Sequence, residues 1–241
     1  MNRRAQLSLL LLAGASGAVD ALAFTALGTV FAGVMTGNLV LLGVAVGHGP
    51  GGTEGVSAPL YALGGYIAGA ALTALVCRGV APRPDWPGRV VACLVGQTVL
   101  LAGVAVAGGV LDGRPGAPWR TVLLVVAALA MGGQSAAMVA AGSGAAPTTY
   151  FTGTLTTLVT GVADGSGRGP GQLWVAARLL AVVGGAACAV AVHEAAPSWG
   201  FAAPAALSAA ALGCQKPAHR LRRAVTTIHK NPLQGTHDET H

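Results

Sequence analysis

Hydrophobic residues fill eight segments of the chain, and most of the proline and charge falls in the short breaks between them. The segments cover about residues 6–27, 36–47, 57–77, 90–111, 120–141, 151–163, 173–193 and 199–214. The second and sixth are too short to cross a bilayer, because 12 or 13 helical residues rise about 18–20 Å against a hydrocarbon core of roughly 30 Å. The pattern predicts an all-α, polytopic integral membrane helical bundle with six full spans and two short helices, which are half-helices or re-entrant.

Composition supports a membrane protein. Only 9% of the residues are charged, 53% are hydrophobic and the mean hydropathy is +0.64, so the chain lacks the polar residues that a water-exposed surface requires. We expect one transmembrane domain over residues 1–214 and a basic cytoplasmic tail over 215–241. The tail has no aromatic interleaving, so no nucleic acid is expected. No motif for a cofactor or metal is visible, and the start of the chain is interpreted as a first span rather than a cleaved signal peptide.

The two short segments resemble each other. A shift of 116 positions (153 − 37) superimposes Gly153 on Gly37, and sixteen of the 64 residue pairs that join 14–77 to 130–193 are identical. This similarity predicts two related repeat units, about 6–111 and 120–214. With six full spans, the repeats are inverted, 11 Lys and Arg lie inside and only Arg114 and Arg120 lie outside. With eight spans, the repeats are parallel and the division is ten to three, so charge alone leaves the span count open.

Each short segment contains a polar, glycine-containing break. A helix that begins inside a membrane exposes free N–H groups, a Thr hydroxyl can cap one of them, and Gly allows close approach. We therefore predict a substrate-binding site where the two breaks meet, formed by Thr36, Gly37, Asn38, Thr152, Gly153 and Thr154. Two positive helix ends would favour an anionic or carboxylate-bearing solute. The structural alternative is that each break marks a close helix crossing without a ligand.

Two further polar residues within the spans are included in this candidate site, Asp20 and Gln134. A carboxylate deep in a span is costly, and such residues often serve function. Asp20 would bind a proton or a cation, or would form a structural pair with Arg178 in the seventh segment. Gln134, like Gln97, is also expected to form hydrogen bonds between helices.

The sequence resembles the YoaK-like bacterial multi-spanning membrane proteins, a group of unknown function. The resemblance rests on GAVDALAFTALGTVFAGVMTGNLVLLGVAVG (17–47) and MGGQSAAMVAAGSGAAPTTYFTGTLTTLV (131–159). It implies a helical fold in the bacterial plasma membrane and supplies no substrate. The positions that match the family pattern are Asp20, Thr36, Gly37, Asn38, Gln134, Thr152 and Gly153.

The leading functional hypothesis is a transporter or channel for a small solute or ion, with both termini cytoplasmic. The alternative is a non-transporting membrane scaffold or accessory subunit. A minor alternative is an intramembrane serine protease, because Gly14-Ala15-Ser16-Gly17 fits GxSG, although His193 is the one histidine near a segment. The predicted partners are the lipid bilayer and the solute, and a homo-oligomer is left open.

Overall fold

The computed structural model of the protein describes residues 3–48, 53–81, 86–142, 151–163 and 170–215. The predicted tail, 215–241, lies outside this part of the chain except for its first residue. The long helices are α1 (Arg3–Leu22, continued by a π-helical segment, Ala23–Gly28), α3 (Thr53–Val76), α4 (Gly88–Val110), α5 (Ala117–Ala141) and α7 (Pro170–Ala195). The short helices are α2 (Met35–Gly47), α6 (Phe151–Ala163) and α8 (Ala202–Gly213), and a 3-10 turn, Pro197–Trp199, precedes α8.

The described residues contain five helices that are long and apolar enough to span a membrane. The predicted short segments are confirmed as helices of 13 residues each, α2 and α6. The sixth full span expected over 199–214 is wrong in length, because α8 has only 12 residues and rises about 18 Å. It starts late because the chain first forms the 3-10 turn and then buries Phe201, whose ring lies against Gly108 of α4.

Glycine allows two helix pairs to approach closely. α1 packs along α7, and α3 packs along α5. A methyl group on Gly17 would overlap the backbone carbonyl of Val182, and a methyl group on Gly69 would overlap that of Leu129. Small residues at a crossing replace side-chain contact with backbone contact, which is how helices associate in lipid, where the solvent is as apolar as Leu. These close crossings lie on the long helices.

The direction of each helix follows from its neighbours. The start of α1, the end of α3 and the start of α4 share one hydrophobic cluster with the ends of α5 and α8. At the opposite end of the bundle, Phe24 and Thr25 lie with Arg114, Arg120 and His193, near the ends of α1, α4 and α7 and the start of α5. The chain therefore leaves α1 and enters α3 at the same end, with α2 between them. Likewise, α5 ends at the end of the bundle where α1 begins. α7 begins at that end too, because Arg178 near its start donates to Gln6 near the start of α1 at 2.7 Å.

Candidate functional site

The break before α2 lies against Asp20. The chain runs from Thr29, at the end of the π-helical segment, to Gly33. The backbone amide of Gly33 donates a hydrogen bond to Asp20 Oδ1 at 2.6 Å. The amides of Ala32 and Val34 also point at this carboxylate. Asp20 is only 8% exposed, so burial disfavours its charged form while the backbone donors favour it. The carboxyl group lies beside the N-terminus of α2, the place where a helix favours negative charge.

Asn38 secures the same break from its other side. Its side-chain oxygen accepts from the amide of Phe31 at 2.9 Å, and its amide nitrogen donates to the carbonyl of Phe31 at 2.6 Å. Asn38 is fully buried. Gly37 is needed beside it, because a Cβ there would lie 2.9 Å from Cδ2 of the Phe31 ring. Asn38 therefore links the first turn of α2 to the irregular segment that precedes it, and we call that segment, residues 29–34, the α2 strap.

The prediction that Thr36 caps α2 is wrong. The helix begins at Met35, and Val34 occupies the cap position without a side-chain hydrogen bond. Thr36 lies inside the first turn and is exposed. A Thr cap is not required, because Asp20 satisfies the strap amides from another helix. The expected anionic solute at this helix end stays a prediction.

The second break is described only in part. α6 begins at Phe151, so Thr152 is a first-turn residue, and its carbonyl accepts a bond from Thr156 Oγ1 at 3.1 Å. Thr152 is exposed and Gly153 is partly buried, while the side chain of Thr154 and residues 143–150 lie outside the described part. α2 packs on α3, and α6 packs on α7. The meeting of the two breaks at one polar spot stays a prediction.

Gln134 lies in a different polar cluster, between α1, α4, α5 and α8. The Gln97 amide nitrogen donates to Gln134 Oε1 at 2.6 Å and to Ser208 Oγ at 3.3 Å. Gln134 in turn donates to the carbonyl of Leu12 at 3.4 Å. The prediction of interhelical hydrogen bonds is thus confirmed. Polar groups in a bundle core stabilise the particular pairing of helices that satisfies them.

Arg178 does not pair with Asp20. Its guanidinium donates to Gln6 near the start of α1, whereas Asp20 lies 14 residues further along that helix (20 − 6). That separation corresponds to about 21 Å of helical rise. The alternative of an Asp20–Arg178 ion pair is therefore wrong.

The geometry separates Ser16 from His193, the histidine considered as its base. Ser16 is 1% exposed, and its hydroxyl oxygen has no hydrogen-bond partner among the described residues. Gly17, the next residue, contacts Val182. His193 follows Val182 by 11 residues (193 − 182), about 16 Å along α7, which is too far for proton transfer. Within the described ranges, no group of three His, Cys, Asp or Glu side chains is placed to hold a metal ion.

A second candidate site, which the sequence analysis did not predict, lies at the end of the bundle opposite the amino terminus. A cleft of about 430 Å³ opens there, and we call it the arginine cleft. Its walls come from the π-helical segment, from the turn between α4 and α5 and from the end of α7. Its lining includes Phe24, Thr25, Thr29, Arg114, Arg120 and His193. The one sequence signal was that Arg114 and Arg120 are the arginines assigned to the outer face by the six-span topology.

Comparison with known proteins supports the membrane assignment. The family described as a protein of unknown function, DUF1275, matches residues 8–214. The UPF0700 transmembrane protein YoaK of Bacillus subtilis (strain 168) is 35% identical over 166 residues, which cover 69% of this chain and 68% of the relative. No solved structure matches the chain.

Proposed function

The chain belongs to the DUF1275 family, and we propose that it is a transporter of a small solute in the bacterial plasma membrane, with both termini cytoplasmic. In this proposal α2 is the moving part and Asp20 is the proton-binding group. The observation that carries it is a single arrangement: a buried carboxylate in a spanning helix that holds the irregular backbone of the α2 strap. Irregular backbone and ionisable groups at membrane depth are characteristic of transport sites.

The helix directions favour a re-entrant α2. The chain leaves α1 at the end of the bundle where Thr29 lies, reaches Asp20 through the strap, and returns along α2. Thr29, His48 and Gly55 line one cleft, so the end of α2 lies close to the place where the strap began. Because α2 is short and makes its main contacts with α3, it can shift with fewer losses than a spanning helix.

Protonation of Asp20 would change the hold on the strap. An ionised carboxylate accepts strong hydrogen bonds from backbone N–H groups. A neutral carboxyl group is a weaker acceptor, and its O–H is itself a donor that cannot bond to an N–H group. We therefore expect α2 to be held when Asp20 is ionised and loosened when it is neutral. That difference gives the bistable element that coupling between a proton and a solute requires.

The helix directions favour two inverted repeats, because the start of α1 and the end of α5 lie in one hydrophobic cluster, so these corresponding helices run in opposite directions. The packing is that of two related units. A shift of 116 residues carries α1 onto α5 and α3 onto α7, so the α1–α7 pair corresponds to the α5–α3 pair. The same shift relates α2 to α6 and α4 to α8. The α2–α3 contact therefore corresponds to the α6–α7 contact, and the α4–α5 contact corresponds to the α8–α1 contact. In this arrangement, the two half-helices enter from opposite ends of the bundle, as in transporters built from inverted repeats.

The test is solute-dependent proton movement in proteoliposomes that contain the full chain and a trapped pH-sensitive dye. Phosphate, glutamate, glycine and lysine are supplied in separate runs, and protein-free vesicles give the background. We expect one solute to produce a pH change that Asp20→Asn reduces at least tenfold while the protein stays folded. Asp112→Asn is the matched control, because Asp112 is an exposed carboxylate on the turn after α4.

Two results would contradict the proposal. A folded Asp20→Asn protein with full activity would remove Asp20 from the mechanism. A wild-type chain with no flux above background for any of these solutes would reject transport and favour the scaffold alternative. One observation already favours a scaffold: α6 packs mainly on α7, and among its described side chains none is fully buried.

A further inference from the structure

We propose that the arginine cleft binds a small oxyanion, a carboxylate or a phosphate group, through Arg114, Arg120 and His193. This inference names the solute class for the transporter proposed above and rests on that function only in calling the ligand a solute. Binding itself is a property of the cleft and is measured without transport.

The backbone around the cleft is specialised. The π-helical segment, Ala23–Gly28, widens the end of α1, and such insertions recur at functional sites. It is followed by Thr29 with φ 57°, a left-handed conformation that a β-branched residue rarely adopts. Local strain of this kind persists only where surrounding contacts hold it, and it is concentrated at binding sites and switches. Both features line the cleft.

The turn after α4 presents the first arginine. Gly113 adopts φ 69°, and its amide donates to the carbonyl of Gly108 at 2.8 Å, which closes the helix end. A side chain at Gly113 would overlap Pro197, so the turn is packed against the segment that follows α7. This packing places Arg114 beside the cleft, where its side chain makes no hydrogen bond within the described ranges.

The second arginine is held in place with most of its donors unused. Arg120 Nε donates to the carbonyl of Pro115 at 2.9 Å, which fixes the plane of the guanidinium. Its terminal nitrogens make no hydrogen bond to the described residues. A guanidinium presents five N–H donors in a planar fork, which matches the oxygens of a carboxylate or phosphate. Two such groups at one cleft supply the charge and the donors that an oxyanion requires.

His193 adds a third nitrogen donor. Its Nδ1 is buried without a partner in the described chain, and its ring lies against Gly200 and edge-on to Phe201, 5.5 Å between centroids. This packing leaves Nε2 as the ring nitrogen for the cleft. In contrast, the hydroxyl groups of Thr25 and Thr29 already donate to backbone carbonyls, at 2.8 and 2.7 Å. Recognition of the anion therefore falls to the two arginines and the histidine.

Among the residues that the structure describes, no carboxylate lines the cleft. Asp112 is close in sequence but faces Ser198, at 3.5 Å, and Glu194 is exposed at the end of α7. Neither contributes to the lining. Phe24, which does line the cleft, stacks on Phe31 of the strap with ring centroids 5.3 Å apart. A ligand in the cleft would thus contact the residues that lead directly to Asp20 and Asn38.

The test is isothermal titration calorimetry on the purified full chain in a neutral detergent, with phosphate or acetate replacing chloride at constant ionic strength. We expect saturable heat for at least one of the two anions. The Arg114→Gln/Arg120→Gln double variant should bind at least tenfold more weakly. Arg89→Gln is the matched control, because Arg89 is an exposed arginine at the other end of the bundle, and its affinity should stay within twofold of wild type.

The source of the anion is distinguished in nanodiscs. Equal phosphate binding in phosphatidylcholine and in an equal mixture with phosphatidylglycerol would assign the cleft to a free anion. Binding that disappears in the mixture would assign it to a lipid headgroup that competes for the same groups. No saturable heat with either anion, or a double variant that binds as wild type does, would overturn the inference. Intact binding together with failed proton coupling would reject only the transport proposal.

Discussion

Replacement of Asn38 by Leu tests the role of the polar residues in the first break. Leu has a similar volume but removes both hydrogen bonds to Phe31, at 2.9 and 2.6 Å. Phe31 then keeps an amide and a carbonyl that are partly shielded from water. If Asn38 secures the strap, this change should destabilise the fold.

The magnitude follows from those two bonds. A side-chain hydrogen bond in a membrane protein contributes about 0.6 kcal/mol on average and up to roughly 1.7 kcal/mol. A buried polar group left without a partner costs about 1–3 kcal/mol. Because Asn38 is fully buried and both groups of Phe31 are affected, we expect Asn38→Leu to lower the free energy of unfolding by about 2–5 kcal/mol.

The assay is reversible unfolding in mixed micelles, followed by tryptophan fluorescence. Thr36→Val is the matched control, since Thr36 lies two residues earlier on the same helix and is exposed; it should change stability by less than about 0.5 kcal/mol. An Asn38→Leu protein as stable as wild type would refute the reasoning. If an Asn38→Leu protein were as stable as wild type but had lost solute flux, Asn38 would be a ligand-binding residue. That is the role predicted for it from the polar, glycine-containing break.

Three further changes test the packing and the polar cluster. Gly69→Ala should destabilise the fold by about 1–3 kcal/mol, because its methyl group would meet the carbonyl of Leu129. Gly64→Ala is the control in the same assay: it lies on the same helix, has open space around it and should be neutral or slightly stabilising. Gln134→Leu should cost about 1–2 kcal/mol by leaving Gln97 with a weaker set of partners. In a double-mutant cycle, Gln97→Leu should recover part of that loss, and additive effects would show that the 2.6 Å contact contributes little.

Sequence patterning predicted the short lengths of α2 and α6 but not that of α8, and it misassigned the chemistry of the first break. Twelve or thirteen apolar residues cannot span a bilayer, so α2 and α6 could be identified as short without coordinates. The predicted cap role of Thr36 was wrong because a cap signal in the sequence is local. The strap amides instead donate to Asp20, which lies on another helix. A single sequence does not record which distant carboxylate will lie against a given set of amides.

The arginine cleft was missed for the same reason. Its residues come from three separated segments, and none of those segments has a recognisable motif. The positive-inside count assigned Arg114 and Arg120 to the outer face without giving them a role. Only the packing of the turn at Gly113 against Pro197 brings those arginines to the end of α7.

The polar residues also show how the two proposed repeats differ. A shift of 116 residues replaces Asp20 by Ala136 and Asn38 by Thr154, so the carboxylate and the amide that secure the first break have no counterparts in the second unit. The two glycines, Gly37 and Gly153, are retained. In the proposed duplication, the glycine is shared by both units, and the carboxylate and the amide occur at these positions in the first unit alone. If the proposed mechanism is correct, one proton-binding carboxylate per chain follows, and coupling depends on the first half-helix, with α6 contributing shape rather than charge.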